Sequence, residues 1–72
     1  MSVTVEISDE ALLAELMRAL TRTGCRVDRT ASSACRVIHP LAQNQNEALI
    51  EVAFFLRAWQ LSHPHVGTTI AA

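Results

Sequence analysis

Three histidines, His39, His63 and His65, and two cysteines, Cys25 and Cys35, are the side chains of this 72-residue chain best suited to ligating a metal or attacking a substrate. Zinc chemistry needs three or four nitrogen or sulfur ligands converging at about 2 Å. His63 and His65 flank Pro64 and supply at most half of such a site. The cysteines lack the Cys-x-x-Cys spacing of a redox or metal pair. Ser32-Ser33 has no base placed beside it. Phosphate loops, a nucleophile elbow and paired carboxylates are missing. Arg26 and Arg36 form a further pair, able to hold a carboxylate or phosphate if they share a surface.

Whether any of these groups meet depends on the elements that carry them. Val3, Val5 and Ile7 alternate with Thr4 and Glu6, the period of a half-buried strand. Ser8 offers a helix N-cap, with Asp9 and Glu10 complementing the dipole of the first turn. Leu12, Leu13, Leu16, Met17, Ala19 and Leu20 then form a single helical stripe, which Gly24 closes. Cys25 to Arg29 reads as a strand, Thr30 to Ser33 as a turn, and Ala34 to Ile38 as the returning strand with Cys35 and Val37 inward. His39-Pro40 ends it. Asn44 followed by Glu47 marks a capping box and the start of a second helix, which stops before Pro64. Val66 to Ile70 reads as a last short strand.

The order β-α-β-β-α-β specifies an α+β domain over residues 1–72. It predicts a ferredoxin-like βαββαβ plait, an antiparallel sheet in the order 4-1-3-2 with two helices on one face. This frame disperses the candidate ligands. His39 falls at the opposite end of the sheet from His63 and His65. With a turn near Ala31 or Ser32, Cys35 faces Val27 or Asp28, several residues from Cys25. At about 3.3 Å per residue, that separation exceeds the roughly 7 Å Cα limit of a disulfide. Two free thiols, no metal and no cofactor are expected. Arg26 and Arg36 fall on the open sheet face with Thr4, Glu6, Asp28 and Ile38, where a cross-strand charge ladder is the simplest arrangement.

Composition narrows the class. The chain is 50% apolar and 18% charged with a formal net charge of −1, a globular rather than disordered balance. Nucleic-acid binding draws on a basic patch, and an RNA platform needs aromatic residues on the central strands; neither is present. All six basic residues are arginine, as GC-rich bacterial coding favours. The start lacks a signal-peptide pattern. Val52 to Leu61 contains Arg57 and Gln60 and is too short to span a bilayer. A cytoplasmic protein without membrane contact is expected.

The second helix holds more apolar residues than one buried face uses. At about 100° per residue, Ala48, Leu49, Val52, Phe55, Leu56 and Trp59 form the sheet-facing stripe, with Ala53 at its edge. Ile50, Phe54, Ala58 and Leu61 form a second stripe beside Arg57, with Phe54 nearly opposite the first. The flank against the first helix can take up Ile50. Phe54 and Leu61 point to a protein interface, with another copy or another protein, in which Arg57 meets Glu47 or Glu51 of the partner helix.

The run Leu56-Arg57-Ala58-Trp59-Gln60, followed by His63-Pro64 and a short strand, resembles small uncharacterised proteins of GC-rich bacteria, and no activity comes with that resemblance. The element order and the Gly24-Cys25 entry to the second strand are also similar to regulatory ACT-type domains. That resemblance implies a small-ligand sensor with its site at a subunit interface and a binding loop near Ile7 to Ala11. This sequence has Ser8-Asp9-Glu10 there, with no glycine. A non-catalytic association module is the first expectation and an ACT-like sensor the second.

Overall fold

The computed structural model describes residues 2–71. Strand β1 (Ser2–Ile7) leads through a short 3-10 turn (Glu10–Leu12) into helix α1 (Leu13–Arg22). Strands β2 (Arg26–Ala31) and β3 (Ala34–Ile38) form a hairpin. Helix α2 (Gln45–Leu61) and strand β4 (Thr68–Ala71) complete an α+β architecture. The four strands are antiparallel in the order β2-β3-β1-β4, which puts β1 and β3 at the centre.

One core joins the two helices to the sheet. Val3, Val5 and Ile7 alternate inward from β1 and meet Cys35 and Val37 of β3. Leu13, Leu16 and Leu20 cover them from α1, and Ala48, Val52, Leu56 and Trp59 from α2. Leu12, Met17 and Ala19, read as part of the α1 stripe, lie partly buried at its margin. Helix α1 thus has the one-sided apolar pattern that a core-facing helix requires, whereas α2 carries apolar residues on its outer side as well as its inner one.

The ends of the elements show which local rules prevail. Asn44 caps α2, its side-chain oxygen accepting from the Glu47 amide at 2.8 Å. Gly24 follows the α1 cap residue Thr23 at φ +99°, a left-handed conformation natural to glycine. The α1 start departs from expectation. Asp9, not Ser8, is the cap, and its carboxylate accepts from the Ala11 amide at 3.1 Å. Ser8 instead ties β1 to the approach of β4: its Oγ accepts from the Gly67 amide at 2.8 Å, and its own amide donates to the Gly67 carbonyl at 2.9 Å.

The hairpin is also shifted. Strand β2 runs to Ala31, the turn is Ser32-Ser33, and an irregularity between Arg29 and Ala31 leaves Thr30 as an extra residue. Cys35 therefore lies opposite Arg29, not Val27 or Asp28. Cys25 sits before the strand rather than in it. The last strand starts at Thr68, so Val66 is buried in the loop leading to it.

Candidate functional site

Helix α2 is held at both ends, and that fixes which side faces outward. At its N-terminus the Gln45 side-chain amide donates to the Ser2 carbonyl at 2.6 Å, anchoring the first turn to β1. At its C-terminus Gln60 donates to the Val66 carbonyl at 2.8 Å. His63 stacks on Trp59 with ring centroids 3.9 Å apart, and its Nδ1 donates to the Trp59 carbonyl at 3.0 Å. Its Nε2 lies 3.3 Å from Glu15 of α1, a contact that becomes an ion pair when the ring is protonated. His63 thus ties the two helices together structurally.

With the helix so fixed, Ala48, Val52, Leu56 and Trp59 are buried, and Leu49 and Phe55 pack partly against the core. The opposite side carries Phe54 at 73% exposure and Leu61 at 83%. Arg57 and Ala58 are exposed between them. Ile50 belongs to this outer side as well, at 51% exposure; the flank against α1 does not take it up. Ile50, Ala53, Phe54 and Arg57 border a shallow hollow of about 200 Å³. Leu41, in the loop before α2, is a further exposed apolar residue that periodicity could not flag, because it lies outside any regular element.

The candidate metal and redox groups are separated as the strand order dictates. Ile38 pairs with Ser2 at one end of β1, while Thr68 pairs with Ile7 at the other, so His39 and His65 lie towards opposite ends of the sheet. Among the described residues, no group of three or more His, Cys, Asp or Glu is placed to hold a metal ion. Both cysteines are free and buried. Burial pushes the Cys35 thiol above its ordinary value, with the Arg29 charge opposing the shift.

The structure also brings together a set that spacing along the chain does not group. Cys25, His39 and Glu51 border one hollow of about 390 Å³ with Phe54 and Phe55. The hairpin register explains it: Arg26 pairs with Ile38, so Cys25 and His39 emerge side by side. His39 Nδ1 is buried there without a hydrogen-bond partner among the described residues.

On the open sheet face Arg36 lies opposite Thr4 and Asp28, and Arg26 opposite Ile38. The two arginines share this face, but the expected charge ladder is not drawn tight: among the described residues the one ion-pair contact is Glu15–His63. In the loop from Ile7 to Ala11, the Ser8 hydroxyl and the Asp9 carboxylate are engaged in the internal hydrogen bonds given above.

No protein-family model, curated protein or solved structure matches this chain. The functional reading therefore rests on geometry alone. No helix is long and apolar enough to cross a membrane among the described residues.

Proposed function

We propose that this protein is a non-catalytic association module of the ferredoxin-like plait type that pairs with a second copy of itself through the outer face of α2. The observed strand order, counted from the other edge, reads 4-1-3-2, which supports the plait. The observation that carries the association reading is Phe54, 73% exposed on a helix whose other side is already in the core.

The face is laid out for twofold antiparallel pairing centred on Phe54. Glu51 and Arg57 stand three residues to either side of it, so each Arg57 meets Glu51 of the partner subunit. Ile50 and Ala58 stand four residues to either side and interlock in the same way. Closed twofold dimers are the commonest soluble oligomers.

The strength follows from the size of the face. Burying a Phe or Ile contributes about 1.5–3 kcal/mol, so Phe54 and Ile50 from two copies supply at most about 6–12 kcal/mol. Association costs about 4–15 kcal/mol in lost freedom. A helix of 17 residues is about 26 Å long. One such face offers less than the roughly 800 Å² per partner of a standard interface. Pairing in the micromolar range or weaker is the expected result.

Sedimentation equilibrium across a concentration series tests this. The wild type should shift from monomer towards dimer with concentration, and Phe54→Asp should remain monomeric throughout. A wild type that stays monomeric at every concentration refutes self-association.

A further inference from the structure

Positive charge gathers at an open hollow on another side of the molecule. Arg18 and Arg22 of α1 and Arg29 of β2 border a hollow of about 740 Å³ with Ala14, Met17 and Thr21. These are three of the six cationic side chains of a chain whose net charge is −1. Among the described residues, no carboxylate lines the hollow. Glu15, next along α1 from Ala14, is turned to His63. Asp28 lies opposite Arg36, on the other face of the sheet from Arg29.

Helix and strand rules alone account poorly for this cluster. Arg22, in the last turn of α1, is favoured by the helix dipole. Arg18 stands four residues before it, a like-charge spacing that costs a helix stability. Arg29 faces the helix side of the sheet, opposite the buried Cys35, where an apolar residue would be ordinary. Its Nη1 donates to the Ser32 carbonyl at 3.2 Å, which holds the guanidinium at the rim. The apolar part of the floor is Ala14 and the half-buried Met17.

We infer that this groove between α1 and β2 binds a small amphipathic anion: a carboxylate or phosphate head on an apolar body. The arginines offer planar, paired donors to the head, and the floor takes the body. The volume falls within the roughly 300–1,000 Å³ of small-molecule sites. The site stands apart from the α2 face, so the two readings succeed or fail independently.

Decanoate, kept below its micelle concentration, is the probe, followed by amide chemical shifts of the labelled protein. Saturable shifts along α1 and β2 are expected. The double substitution Arg18→Gln with Arg29→Gln, both exposed positions, should weaken binding by about tenfold or more. Decanol, which keeps the tail and lacks the charge, should bind the wild type weaker by a similar factor. Phe54→Asp should leave decanoate affinity unchanged. Three results would overturn the inference: no saturable binding, shifts that map to α2 instead, or decanol binding as well as decanoate. Binding to anionic vesicles without binding to free decanoate would also overturn it, because the site is then a membrane contact.

Discussion

Phe54 and Phe55 are adjacent, identical in type and about 100° apart around one helix, one exposed and one partly buried, so they form a controlled comparison. Phe54 is 73% exposed, while Phe55 is half-buried against the core. At a dilution that would dissociate the proposed dimer, Phe54→Asp should change stability by no more than about 0.5 kcal/mol, the usual range for a surface substitution. Phe55→Ala should cost about 2–3 kcal/mol, somewhat below the 3–5 of a fully buried Phe. Unfolding entropy of about 2.1 cal/mol/K per residue converts 1 kcal/mol into about 6–7 °C for a chain of this length. Phe55→Ala should therefore lower the melting temperature by about 13–20 °C, and Phe54→Asp by about 3 °C at most. A folded domain of this size holds roughly 4–11 kcal/mol in all, so the Phe55 variant remains measurable. Urea denaturation followed by Trp59 fluorescence reads both. Repeating it at high concentration separates the roles further: dimerisation adds stability by mass action to the wild type and to Phe55→Ala, but not to Phe54→Asp. A loss above about 2 kcal/mol for Phe54→Asp at dilution would mean that Phe54 packs on its own chain, and the association reading would fall.

Two further outcomes follow from single contacts. Asn44→Ala removes the cap of α2 and should cost about 1 kcal/mol, read by the same urea titration; no change would show that the Glu47 amide finds another partner. Burial raises the Cys35 thiol in the folded state, so the unfolded chain loses its proton first as pH climbs. The stability tied to this thiol is complete below its unfolded value of about 8.5 and drains away above it, by at most about 1.4 kcal/mol per pH unit. Urea midpoints measured from neutral to alkaline pH should fall more steeply for the wild type than for Cys35→Ala, and equal slopes would contradict the assignment.

The elements that could be read from the chain are those with a local signal. Val3, Val5 and Ile7 alternate cleanly, and β1 forms where they do. Asn44 and Glu47 announce α2 to the residue, and the two stripes of that helix separate as the wheel places them. The misread positions are those where a distant contact outweighs a local rule. Ser8 is a good cap by type, yet Gly67, 59 residues away, claims its hydroxyl. The β2 boundary was hidden because Arg29 breaks the inward apolar pattern and Thr30 breaks the register. Arg18, Arg22 and Arg29 could not be grouped from periodicity, since the first two join the third only when β2 is laid beside α1. Cys25 and His39 did carry a signal, because hairpin pairing brings a strand's entry beside its partner's exit.

The extra residue at Thr30 has a consequence for the company this protein keeps. An edge strand offers a row of unpaired amides and carbonyls to any other strand it encounters. On β2, the kink at Thr30 and the charges of Arg26, Asp28 and Arg29 disrupt that template along nearly its whole length. The opposite edge, β4, is only four residues long. Both edges are thereby poor templates for endless sheet growth, the route to fibres. Deleting Thr30 would straighten the edge and should raise the tendency of copies to stack strand on strand, read as concentration-dependent light scattering.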